Sequence, residues 1–392
     1  MTKERDKTPE SFSSLESTNP NGINLEDKSK QGFQYLIGIM LKYKASDLHL
    51  KLGRAPLFRI KGKLVPAKMP PLDQKQIYSL LSEVLSEKQK GELESKRQID
   101  FSIEVAHMGR YRCNVYFQKG SLAAAVRVIS GAIPNIDTLN LPPILKEICA
   151  KKRGLFLITG ATGAGKSTSL AAMIQYINEN HAIHVVCIED PIEFVFHDLK
   201  ASITQREIGS DISNYHEAMS SVLRQDPDVI MLGELRDPVT IQAAITAAET
   251  GHLVVATLHT NDAKSTIERI LDVFPADAQN QIRVQLASTL IGVLSQQLVN
   301  RADGTSRIPV CEVMIKSPLI ETHIMKNEIN QIPQAITNSN GYYNMISMNQ
   351  ALQRLIQDEV ITLAEALKVS PNTDDLRLLV SGMDRSEGYQ PT

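Results

Sequence analysis

The sequence predicts three parts in order: a smaller α+β domain, an α/β domain built on a buried parallel sheet, and a small helical part. Three observations support this. Before residue 130, two stretches of helical period mix with short alternating runs punctuated by Gly53, Pro56 and Gly62. From Gly154 onward, apolar runs of five or six residues alternate with helical segments, the pattern of βαβ units around a sheet covered on both faces. Beyond Leu298, two further helical segments follow at 345–358 and 362–369.

Residues 1–31 carry five basic and six acidic side chains and few apolar ones, too little to offset the entropy of ordering, so a disordered tail is expected. In 32–130, Phe33, Leu36, Ile37, Met40 and Leu41 recur at helical spacing, 47–52 and 57–60 read as strands, and 77–93 again has a helical period. Runs 101–105, 111–117 and 122–129 read as strands, the last two alternating around a turn at Lys119 and Gly120. The stretch 131–143 holds Pro134, Pro142 and Pro143 and reads as an interdomain linker into a helix over 144–152. The α/β core is expected over 144–300, a C-terminal strand and helical appendage over 301–380, and a frayed tail over 381–392. No internal repeat is visible.

The chain of 392 residues is 42% hydrophobic and 22% charged, as ordinary globular proteins are. Lys+Arg 42 against Asp+Glu 44 leaves a net charge of −2, which gives no bulk attraction to nucleic acid. Cys113, Cys149, Cys187 and Cys311 form no CxxC pair and no zinc-spaced cluster, so the reduced thiols of a cytosolic protein are expected. The opening MTKERDKTPE is charged where a signal peptide needs an apolar stretch, and the apolar runs are too short to cross a bilayer. The chain is not expected to insert itself in a membrane.

Leu155, Phe156, Leu157 and Ile158 read as a buried strand that feeds Gly160, Ala161, Thr162, Gly163, Ala164, Gly165, Lys166 and Ser167, a complete GxxxxGK[ST] loop. A helix is expected to open at Thr168 and run to 178, which completes the strand, loop and helix order that the motif requires. Glycines let backbone N–H groups converge on phosphate oxygens, and the helix N-terminus adds a favourable dipole. Lys166 supplies charge to the β- and γ-phosphates, and the Ser167 hydroxyl is the candidate ligand for Mg²⁺.

Further carboxylates narrow the chemistry. The apolar run over 228–234 delivers Glu234 at its C-terminal end, the edge where open α/β sheets bind ligands. Glu234 is the candidate to polarise the attacking water, and to share in holding Mg²⁺, partly through water. A strand over 184–188 ends in Glu189, Asp190 and Glu193; one of them is a candidate for the metal's water shell, and each reads equally well as a solvated turn. The run 253–258 ends in His259, an ordinary polar strand end alone and a γ-phosphate sensor beside the other three strand ends. No NKxD guanine reader occurs, so ATP is the expected nucleotide.

Five blocks resemble the secretion-ATPase superfamily and, within it, the type IV pilus retraction ATPases PilT and PilU: GATGAGKS at 160–167, IEDPIEF at 188–194, TQREIG at 204–209, LRQDPDVIMLGELRD at 223–237 and TAAETGHLVVATLHTNDA at 246–263. The opening ASDLHLKLGRAPLFRIKGKL at 45–64 also resembles the family's N-terminal domain. The resemblance covers about residues 33–380 and implies a PAS-like N-terminal domain, a RecA-like ATPase core and a homo-hexameric ring. It carries catalytic roles onto Lys166, Glu189, Glu234 and His259, and places Arg112 and Arg127 at the positions of arginines brought to the phosphates. It implies an inner-membrane pilus platform protein as partner, pilin as the indirect target, a second retraction ATPase alongside, and a cytoplasmic position at the inner membrane. Nucleic acid is not an expected partner.

The chain also departs from the retraction pattern. Where AIRNLIRE is common it reads LIETHIMK over 319–326, keeping Ile320 and Ile324, and Gln242 stands where an arginine is frequent. FPADAQNQ at 274–281 and the ending at 372–378 lean toward the accessory motor PilU. An assembly or type II secretion ATPase is the alternative, although that branch usually carries a tetracysteine zinc site that this chain lacks.

Overall fold

The computed structural model describes residues 32–129, 133–339 and 343–382; the tail expected over 1–31 and nearly all of that over 381–392 lie outside the described residues. The chain divides into two compact units, Met1–Ile129 and Ser130–Thr392.

The first unit runs α1 (Phe33–Lys42), β1 (Asp47–Lys51), β2 (Leu57–Ile60), β3 (Lys63–Pro66), α2 (Gln74–Ser82), α3 (Glu87–Lys96), β4 (Gln98–Val105), β5 (Gly109–Gln118) and β6 (Ser121–Ile129). Its six strands form an antiparallel sheet in the order β3-β2-β1-β6-β5-β4. Phe33, Ile37 and Met40 of α1 bury with Leu48, Phe58, Tyr111 and Val115 of the sheet. The β5–β6 hairpin turns on Lys119 (φ 50°) and Gly120 (φ 78°), the two-residue turn whose twist matches the strands. The single helical period expected over 77–93 is two helices. Ser86 accepts from the Gln89 N–H while the Gln89 side chain accepts from the Ser86 N–H, and this capping box restarts the helix.

The second unit opens with α4 (Ile144–Cys149), β7 (Gly154–Thr159), α5 (Lys166–Asn180), β8 (His184–Glu189), β9 (Ser202–Glu207), α6 (Tyr215–Val222), β10 (Val229–Leu232), α7 (Pro238–Glu249), β11 (Leu253–Leu258), α8 (Ala263–Asp272) and α9 (Ala276–Thr289). It continues with β12 (Leu290–Asn300), β13 (Arg307–Ile315), α10 (Pro318–Met325), a 3-10 turn (Ile329–Gln331), α11 (Ile332–Asn338), α12 (Met348–Gln357), α13 (Leu363–Val369) and α14 (Thr373–Val380). The sheet order is β13-β12-β7-β11-β10-β8-β9, all parallel except β13. β7 alternates Leu155 and Leu157 into one hydrophobic layer and Phe156 and Ile158 into the other, as a strand covered on both faces must.

Two boundaries differ from expectation. From residue 133 on, the expected linker packs with the second unit, because Ile136 and Leu141 are buried among Leu145, Phe156 and Ile174. The main sheet does not stop at 300: β12 and β13 pair over nine residue positions, from Gly292 opposite Ile315 to Asn300 opposite Arg307. The separate C-terminal cluster is smaller, with Met348, Leu352, Ile361, Ala366 and Leu376 packed on Val299, Ile308 and Val310.

A candidate nucleotide-binding site at the sheet edge

The loop after β7 can bend as it does only because of its glycines. Gly160 takes φ 144° and Gly165 φ 89°; a Cβ would stand 2.3 Å from the Gln296 carbonyl at the first and 2.8 Å from the Gln296 amide nitrogen at the second. Helix α5 starts at Lys166, two residues before the expected start, so Lys166 and Ser167 lie in its first turn beside Thr168. Ala161, Thr162 and Gly163 are exposed at the mouth, and Ala164 is buried beneath them.

Lys166 is 8% exposed. Its ammonium donates to the Gly160 carbonyl at 2.7 Å and the Ala161 carbonyl at 3.2 Å, and lies 3.2 Å from His259 Nδ1. Burial lowers its pKa, against the pull of Glu234 and Glu193. An ammonium only donates, so Nδ1 is the acceptor and the ring proton belongs on Nε2, which faces Glu234 Oε1 at 3.3 Å. The Glu234 carboxylate also pairs with Arg236 at 2.8 Å. Burial works against its ionisation, yet Arg236 and His259 outweigh burial and hold its pKa below the usual carboxylate value. Lys166 at the start of α5, His259 just after β11 and Glu234 just after β10 thus form one continuous polar chain.

Glu234 lies two residues beyond β10, which is shorter than the expected run over 228–234. The backbone is held there by Gly233 N–H on the Ile188 carbonyl at 2.8 Å and Leu235 N–H on the Thr257 carbonyl at 3.0 Å. Glu189 ends β8 almost fully buried. Gln205 Nε2 donates to it at 3.0 Å, and desolvation pushes its pKa up to about 7. Asp190 and Glu193 are exposed at the same edge.

Arg112 and Arg127 belong to the first unit. They face each other across β5 and β6, and each rests on a carboxylate of that unit. Arg112 grips Asp100 with two prongs, the shorter 2.6 Å, and Arg127 reaches Asp47 at 2.8 Å. Burial disfavours the charge on Asp47, but hydrogen bonds from Ser46 and Arg127 prevail and lower its pKa.

Within the second unit, a cavity of about 520 Å³ opens beside the loop, lined by Leu139, Asn140, Gly165, Thr168, Leu298 and Arg307 among others. Residues 36–378 match the family described as Type II/IV secretion system protein. The chain belongs to this family.

The family likeness extends to named relatives. The type IV pilus ATPase PilU of Pseudomonas aeruginosa is 38% identical over 348 residues, covering 89% of this chain and 91% of that one. The type IV pilus retraction ATPase PilT of the same organism is 39% identical over 331 residues, covering 84% and 96%. A crystal structure of the pilus retraction motor PilT with bound ADP superposes with a TM-score of 0.83 at 41% identity, covering 88% of this chain and 99% of that one.

Three residues of this family member's site carry no motif signal of their own. Gln296, from β12, accepts from Ser169 Oγ and donates to the Ala164 carbonyl, both at 2.7 Å, and so braces the loop from behind. Arg236 and Gln205 lie inside the resembling blocks, yet their roles depend on the carboxylates that they meet. The Gln296→Ala chain leaves two buried polar groups unpaired. Its unfolding free energy is expected to fall by about 3 kcal/mol, read by denaturant titration, with weaker ADP binding because the loop loses its brace.

Proposed function

We propose that this chain is an ATP-hydrolysing motor that drives type IV pilus retraction, with the glycine loop, its lysine, the carboxylates and the histidine drawn from the second unit. The observation that carries this reading is the joined chain of Lys166, His259 and Glu234 at the mouth of a glycine loop, in a family whose relatives include PilT and PilU. ATP suits the cradle: the positive-φ glycines let the loop pack against Gln296 where a Cβ would collide with it, leaving backbone N–H groups and the start of α5 for the phosphates, and the cavity beside Gly165 and Thr168 takes the base. Ser167 makes no side-chain hydrogen bond among the described residues and lies in the first turn of α5, so its hydroxyl suits Mg²⁺. That ion is ordinarily held by few protein groups together with substrate phosphates. When bound, it would neutralise charge on the transferring phosphate.

The chain's own residues do the rest. Lys166 leaves the Gly160 and Ala161 carbonyls for the β- and γ-phosphates. Glu234 orients the attacking water and draws on its proton, and His259, placed between the two, registers the γ-phosphate. Glu189 is a second carboxylate at this edge. Arg112 and Arg127 would leave Asp100 and Asp47 to neutralise charge in the transition state.

The 32–130 region is assigned as a PAS-like domain and the 144–300 region as the RecA-like core. The assembly is assigned as a homo-hexamer that acts on an inner-membrane platform protein from the cytoplasmic face, and on pilin indirectly. No helix among the described residues is long and apolar enough to cross a membrane. A PilU-like accessory role beside a second retraction ATPase is the other reading, since the PilU relative matches at 38% identity against 39% for PilT.

Gene deletion with complementation tests the function, scoring surface pili and twitching motility. Retraction predicts cells with excess pili that do not move. Bald cells would instead make the chain an assembly ATPase.

A further inference from the structure

One buried charge has no part in the chemistry above. On β13, Ile308 and Val310 pack with the C-terminal helices, Met314 packs with the layer under α8 and α9, and Glu312 stands between them on the same face of the strand. It is 9% exposed, and no cation pairs with it among the described residues. Desolvation pushes its carboxyl up to about 7.

What compensates it is backbone. Glu312 Oε1 accepts the N–H of Ala263, the first residue of α8, at 2.9 Å, and the backbone N–H of Met348, the first residue of α12, favours its charged form. One carboxylate thus serves the positive ends of two ten-residue helices. Across the strand pair Glu312 faces Ser295, which accepts from Thr159 at 3.0 Å, the residue before Gly160.

Ala263 follows His259 by four residues, and the intervening loop is tied to the first turn of α8. Thr260 and Thr266 share a hydrogen bond of 2.7 Å, Thr266 donates to the Asp262 carbonyl at 2.6 Å, and Asp262 caps Ser265 at 2.7 Å. Fixing the start of α8 therefore fixes the loop that carries His259. The same carboxylate fixes the start of α12, whose buried Asn349 donates to Asp375 at 3.0 Å and to the Asn372 carbonyl at 2.9 Å.

We propose that Glu312 is a positioning residue for His259: it sets the imidazole between Lys166 and Glu234, and it makes that placement depend on how the C-terminal helices are seated. This rests on the hydrolysis assigned above. A carboxamide retains one accepting oxygen but turns an N–H₂ toward one of the two backbone donors, so Glu312→Gln breaks one anchor while keeping shape.

The test is a double-mutant cycle on the full chain with Glu312→Gln, His259→Ala and the pair, reading kcat, KM and ADP affinity. Glu312→Gln is expected to lower kcat about tenfold, as small misplacements of reacting groups do, with ADP affinity held within about twofold. Added to His259→Ala, it is expected to change kcat by less than about twofold. An equal fall with and without His259 overturns the proposal, as does an unchanged kcat or an ADP affinity that falls as far as kcat. If Glu312→Gln does not fold, Glu312→Asp makes the same comparison, because it keeps the charge but withdraws it by one methylene. A wild-type chain that splits no ATP overturns the functional reading and this proposal together; normal wild-type turnover with independent effects overturns this proposal alone.

Discussion

The Lys166→Ala chain is expected to turn over no measurable ATP. The native ammonium is almost buried, and the Gly160 and Ala161 carbonyls hold it at the loop. Its desolvation is therefore met before substrate arrives, and in a site of low dielectric its attraction to a phosphate is far stronger than in water. Removing a single preorganised donor from such a site typically costs ~10²–10³ in rate, and here a whole charge goes as well. The buried Gly160 carbonyl loses its partner at the same time, which costs about 1–3 kcal/mol of stability. A phosphate-release assay beside titration with a fluorescent ADP analogue reads both losses, and a thermal melt shows that the fold survives. Turnover within about tenfold of wild type would take Lys166 out of the chemistry.

Glu234→Gln is expected to separate binding from hydrolysis. The substitution keeps the side chain's size and leaves the glycine loop untouched, so nucleotide affinity should hold. The rate should fall by ~10²–10⁴, the range lost with a positioned general base. Because Arg236 and His259 lower the pKa of Glu234 in the folded chain, the carboxylate is ionised throughout the neutral range. Its contribution to stability is present above the unfolded-state pKa and fades only as pH drops through the lower folded value. Single-turnover measurement with bound ATP isolates the step. An unchanged rate would pass the role to Glu189, whose pKa of about 7 suits a base working near neutrality.

The glycine loop, its lysine and the apolar runs were legible because they are local. GxxxxGK[ST] spans eight neighbouring positions, and runs such as 253–258 announce a strand covered on both faces, since alternation vanishes there. Over 77–93 the helical period continues through a break that Ser86 and Gln89 create with side-chain caps, so periodicity alone shows one helix where there are two. β9 leaves no strand signal because SITQRE is mostly polar, and its place in the sheet shows only once Gln205 holds Glu189 and the Phe194 carbonyl.

Residue order by itself determined that a phosphate-binding turn joins a buried strand to a helix, and that acidic and histidine side chains end the strands that follow. Only the tertiary structure decided which of these ends meet. Lys166 and His259 are 93 positions apart and touch because β7 and β11 are neighbours in the sheet. Gln296 reaches Ala164 across 132 positions because β12 takes the place on the other side of β7. Glu312 meets the starts of two helices for the same kind of reason. Contacts of this range depend on strand order, and strand order is set by how all the apolar faces bury together, a property of the whole chain that no short stretch of it contains.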